Sequence, residues 1–69
     1  VPAVAYTEDS LCDALTELGA VHKDKAMIDE AIGACKSAIV TFKANNLTDL
    51  AAGSETNLSE AQAVLTALQ

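Results

Sequence analysis

Apolar residues recur along this chain at spacings of three and four, the signature of helices that each bury one face. Runs in which apolar and polar residues alternate, the sign of half-buried strands, are absent. The first stripe is Leu11, Leu15, Leu18 and His22, preceded by the acids Glu8 and Asp9. Carboxylates are favoured at the positive end of a helix dipole, so this helix is expected to start near Thr7 or Ser10 and to run over residues 8–21. Residues 1–6 read as an extended lead-in. "GAVHKDK", from Gly19 to Lys25, reads as a fraying helix end and a turn.

The second stripe is Ile28, Ile32, Cys35, Ile39 and Phe42, spaced 4-3-4-3, which predicts a helix over residues 25–44 capped by Asp24. Met27, Ala31, Ala34 and Ala38 run beside that stripe and widen its apolar arc to about half the circumference. One partner helix cannot cover so much. The second helix is therefore expected to be central, with something packed closely over its small side chains. Gly33 and Val40 fall on its polar side.

The last third of the chain repeats itself. Asn46-Leu-Thr-Asp is answered by Asn57-Leu-Ser-Glu, and each copy is both a glycosylation sequon and a helix-start signature. Asparagine is a strong N-cap, and an acid three residues on completes a box-like cap. The repeat thus predicts two helices: a short one over 47–52 stopped by Gly53, and a longer one over 58–68. The longer helix presents Leu58, Ala61, Val64, Leu65 and Leu68 on one face. As N-caps, Asn46 and Asn57 would each contribute ~1 kcal/mol. The expected fold is all-α, a single domain over 1–69 made of three to four short helices.

Cys12 and Cys35 supply a register. If they bond across an antiparallel helical hairpin, paired positions sum to 47. Leu15 then meets Ile32, Leu18 lies close to Ile28, Ala5 or Tyr6 lies near Phe42, and the turn falls in the polar run "HKDK". Pairing, turn and staple agree without adjustment. Sixty-nine residues build a small core, in which fourteen of the apolar residues are alanines, so a staple is needed. Closing this loop contributes ~3 kcal/mol on the chain-entropy model.

Charge and chemistry narrow the function. A net charge of −6 with only four lysines and no basic patch argues against nucleic acid and anionic membranes as partners. No apolar run is long enough to span a membrane. His22 is the only histidine, so a catalytic triad would rest on one residue at a turn. One histidine and two distant cysteines do not match a closed zinc site. Asp9, Asp13 and Glu17 read as a solvated acidic face, not a calcium site. No phosphate-binding glycine loop is present. An enzyme is not expected, nor is a cofactor.

Binding remains. The cysteine pair and a start at Val1, read as a processed N-terminus, lead to the expectation of an extracellular, secreted protein. The wide arc of the second helix leads to an apolar, lipid-like ligand or a partner surface, met through the second and last helices at Ile32, Ile39, Phe42, Leu65 and Leu68. The same arc fits a filled core or a homodimer interface more readily than a cavity. A protein partner would meet exposed Val40 and the acidic face of Asp9, Asp13 and Glu17. The alternative class is a secreted messenger, toxin or effector acting by protein recognition.

Overall fold

The structure, a computed structural model, describes residues 2–69, and its regular elements are all helices. They are α1 (Ala3–His22), α2 (Lys25–Ala44) and α3 (Thr48–Leu68). They form an antiparallel up-down-up bundle of 35 × 17 × 13 Å, close to the ~30 Å that twenty helical residues span.

Helix α1 begins earlier than its acids imply. The Pro2 carbonyl accepts from the Ala5 and Tyr6 amides, so residues 3–6 are helical instead of extended. Val1 lies outside the described residues. Proline suits this place, because its fixed φ is already helix-compatible and its missing N–H would have had no partner. Nor does the helix fray at Gly19. It runs to His22 and closes with Lys23 in the left-handed region (φ 54°), the Asp24 amide reaching back to the Gly19 carbonyl at 2.9 Å. This is a Schellman closure. Asp24 then caps α2 as expected, its Oδ1 accepting from the Met27 amide at 3.2 Å.

The end of α2 repeats that device and corrects the reading of Asn46. Asn46 has φ 59°, its amide bonds to the Lys43 carbonyl, and the Leu47 amide bonds to Phe42 at 2.8 Å. Asn46 stops α2; it does not cap α3. Asparagine can take both roles, since its short side chain tolerates the left-handed region.

The hairpin has the expected staple. Cys12 and Cys35 are bonded, with their Cα atoms 5.4 Å apart. The sum of 47 holds at both ends. Ala5 shares a buried cluster with Phe42, and Gly19 faces Ile28. Tyr6 meets Phe42 edge to face at a centroid distance of 5.4 Å, a geometry worth ~0.5–1.5 kcal/mol beyond area burial.

The face that α1 buries differs from its leucine stripe. The buried positions are Ala5, Cys12, Thr16 and Gly19; Leu15 is half-buried, and Leu11 and Leu18 remain 48% and 49% exposed. A disulfide between helix backbones requires close approach, so small residues take the seam and leucines move to its margin. On α2 the deepest line is likewise Ile28, Ala31, Cys35, Ala38 and Phe42, with Ile32 and Ile39 half-buried beside it. Thr16 keeps its hydroxyl satisfied by donating to the Cys12 carbonyl at 2.7 Å.

A further correction is that the two predicted C-terminal helices are one. Gly53 is not in a positive-φ conformation, and α3 passes through it and through Asn57 without interruption. Its inner face is Ala51, Ser54, Leu58, Ala61, Leu65 and Leu68, spaced 3-4-3-4-3. Around the disulfide, α3 contributes Ala61, with Leu58, Val64, Leu65 and Leu68 packed against it. At the other end Ala51 joins Ala5, Ala38 and Phe42, flanked by Leu47 and Leu50.

The three glycines give a paired test. A Cβ at Gly19 would crowd the buried Ile28 side chain, with its Cγ1 at 2.9 Å and the Asp24 carbonyl at 3.3 Å, whereas Gly33 and Gly53 have open space. Gly19→Ala should destabilise by ~1–3 kcal/mol through overpacking. Gly33→Ala and Gly53→Ala should each stabilise by up to ~1 kcal/mol through helix propensity. Urea midpoints of the three variants check both signs; a stabilising Gly19→Ala would show that the hairpin seam is looser than described. Separately, Cys12→Ser with Cys35→Ser should lower stability by ~3 kcal/mol with little change in helical circular dichroism at low temperature.

Candidate functional site

The five residues expected to hold an apolar ligand do not form one site. Ile32, Leu65 and Leu68 are half-buried around the disulfide cluster, while Phe42 is 1% exposed in the cluster at the opposite end. Ile39 is half-buried on α2, outside the members of either cluster. No cavity opens among the described residues. The α2–α3 seam is filled, and a ligand there would have to displace α3.

Uncovered apolar surface lies elsewhere, and helical geometry locates it. At 100° per residue, Cys12 and Cys35 mark the directions in which α1 and α2 face each other. Asp9 marks the α3 side of α1, because it bonds Ser54 and Asn57. Lys43 marks the α3 side of α2, because it pairs with Glu55 at 3.6 Å. The hairpin face turned away from α3 therefore carries Val4, Leu11, Leu15 and Leu18 from α1, with half-buried Glu8 and exposed His22 among them. From α2 it carries Met27, Glu30, Ala34, Ser37 and Thr41. Val4 is 70% exposed, and the half-buried Leu15 and Ala34 pack against the disulfide cluster. The wide arc of α2 thus has two covers: α1 takes Ala31 and Ala38, and α3 takes the isoleucine side. Met27 and Ala34, at the other margin, have no helix laid over them. Val40, 68% exposed, sits at the outer edge of α2 and outside this face.

The acidic stripe is also divided. Asp13 and Glu17 are exposed, but Asp9 is half-buried and accepts two tertiary hydrogen bonds. Ser54 Oγ donates to Asp9 Oδ1 at 2.7 Å, and Asn57 Nδ2 donates to the same oxygen at 3.1 Å. Ser54 is fully buried, so this hydroxyl cannot meet a substrate, and its partner is a carboxylate with no histidine to accept a proton from it. The arrangement is structural: hydrogen bonds to an ionised group are worth ~1.5–3 kcal/mol each. It also locates the third element, since these are the polar contacts that tie α3 to α1. Sequence reasoning took Asp9 for a solvated acid and Asn57 for a cap. The uninterrupted 3-4 spacing from Ala51 through Ser54 to Leu58 was the signal that could have corrected both.

His22 is exposed in the last turn of α1, where the helix dipole favours a cation. Among the described residues, no group of three or more histidine, cysteine and carboxylate side chains is placed to hold a metal ion. No helix among them is long and apolar enough to cross a membrane. Of the two sequons, Asn46 is exposed in the α2–α3 turn, whereas the Asn57 amide is engaged with Asp9.

No protein-family model, curated protein or solved structure matches the chain. Function must be argued from its surfaces.

Asn57 distinguishes a cap from a tertiary donor. Aspartate caps a helix as well as asparagine does. Asn57→Asp would therefore be neutral if residue 57 began a helix. Placed beside Asp9, it replaces a hydrogen-bond donor with a second carboxylate, and should cost ~1–3 kcal/mol near neutral pH. Thermal unfolding compared with Asn57→Ala checks this; an Asn57→Asp variant as stable as the parent would remove Asp9 as the tie between α1 and α3.

Proposed function

We propose that this chain is a non-catalytic docking module that recognises a protein surface through the α1–α2 face turned away from α3. The observation that carries the reading is the exposure of Val4, Leu11 and Leu18 on one side of a helix whose small residues fill the core. In a chain of 69 residues, each large side chain left in water is apolar burial forgone, at ~1.5–3 kcal/mol for full burial of a leucine or valine. Scattered exposed apolar residues are ordinary, but contiguous ones mark interaction surfaces. Exposed apolar side chains along one helix face are the kind of surface that meets a partner helix through anchors at i, i+3, i+4 and i+7.

A small lipid-like ligand is the second candidate for the same apolar surface. Ligand sites bury most of a small molecule in a concavity, and no cavity opens among the described residues. The protein surface is therefore preferred. The stapled pair supports a location outside the cell, because disulfides persist in oxidising compartments. Messenger, toxin and effector roles all fall within protein recognition of this kind.

Photo-crosslinking separates the readings. A benzophenone side chain at position 14, exposed on α1 at the margin of the face, should label protein in the fluid of the natural source. The same group at position 40, outside the face, should label at background. Labelling of lipid alone, or equal labelling from both positions, would overturn the proposal.

A further inference from the structure

We infer that Asn46 is the attachment site of an N-linked glycan, and that Asn57, which carries the same motif, is closed to one. The inference rests on the extracellular reading above, since this sugar is added to chains entering a secretory pathway, and it adds a modified residue.

Asn46-Leu47-Thr48 and Asn57-Leu58-Ser59 both satisfy the rule of an asparagine with a hydroxyl two residues on. The fold treats them differently. Asn46 and Thr48 are exposed on either side of Leu47, which is half-buried against the cluster of Phe42. Asn46 holds the left-handed turn position, with φ 59°, and α3 begins only at Thr48. Its backbone amide serves the turn by bonding the Lys43 carbonyl. The side-chain amide that reaches back to α2 belongs to its neighbour, Asn45, which donates to the Thr41 carbonyl at 2.8 Å. The Asn46 side chain is left to solvent at one pole of the bundle.

Asn57 lies inside α3. Residues two apart on a helix stand ~200° from each other, so the Asn57 amide and the Ser59 hydroxyl leave opposite sides of the helix. An enzyme cannot grip both together there. Asn57 is also half-buried, and its Nδ2 donates to Asp9 Oδ1 at 3.1 Å. A sugar on that nitrogen would stand between α3 and α1, the two helices that this bond ties. A chain modified at Asn57 before folding could not close the bundle as described.

The chemistry is a group transfer from a lipid-linked oligosaccharide diphosphate. Asn46 Nδ2 forms a bond to C1 of the first sugar and gives up one proton to a base of the transferase. The bond from C1 to the diphosphate oxygen breaks, and the lipid diphosphate leaves with its electron pair. Nothing is oxidised or reduced.

Expression in eukaryotic cells behind a cleavable secretion leader tests the inference, with intact mass and peptide sequencing as readouts. Disulfide-bonded protein recovered from the secretory lumen and the medium should carry one glycan, at Asn46. Thr48→Ala removes the hydroxyl while keeping the left-handed asparagine in its turn, and should abolish the glycan. Ser59→Ala should leave the glycan in full. Both positions are exposed, so neither variant should change the helical circular dichroism. Disulfide-bonded protein without sugar, or with sugar on Asn57, overturns the inference. Protein from the natural source keeps the location separate. Oxidised protein outside cells with a bare Asn46 would remove the glycan alone, whereas cysteines found reduced inside cells would remove the extracellular reading and the glycan with it.

Discussion

The approach of two helix backbones to 5.4 Å at Cys12 and Cys35 governs the rest of the molecule. Helices packed on ordinary side chains keep their axes ~8–10 Å apart, and a disulfide leaves no room for bulk nearby. The seam is accordingly built from Ala5, Thr16 and Gly19 against Ala31 and Ala38, with Ile28 lying over the bare backbone of Gly19. The staple thus does more than restrict the unfolded chain. It selects which face of α1 turns inward, and in doing so leaves that helix's larger side chains at the edge.

That choice explains why α3 sits where it does. With α1 and α2 drawn together, the isoleucine side of α2 remains to be covered on one flank. An amphipathic helix with Leu58, Ala61, Leu65 and Leu68 at core spacing covers it. The polar ties from Ser54 and Asn57 to Asp9 then fix the rotation and height of α3 against α1. A serine and an asparagine in mid-helix are poor helix formers, yet both are held in place by one carboxylate across the bundle. Tertiary contact overrides local preference here.

On the other flank no helix remains to be laid down. The face of Val4, Leu11, Leu15 and Leu18 is the counterpart of the α3 side, with no cover from within the described chain. The function proposed above follows from that asymmetry. Of the residues expected to meet a ligand, Ile32, Leu65 and Leu68 look available on a helical wheel but pack around the disulfide cluster.

Much of this was legible from residue order. The spacing of apolar positions is a local property of a helix, so the helical class and the body of α2 could be read directly, as could the Asp24 cap. The sum of 47 came from two cysteines and the pairing it forces, and Tyr6 against Phe42 followed from it. The misreadings share one physical cause. Asparagine can begin a helix, end one or donate across to another, and glycine can close a helix or sit quietly inside it. Which role is taken depends on groups distant in the chain: Asp9 for Asn57, and the end of α2 for Asn46. Likewise, the pattern said that α1 has an apolar side, but only the disulfide distance decided that alanine, cysteine and glycine would be buried and leucine left facing outward.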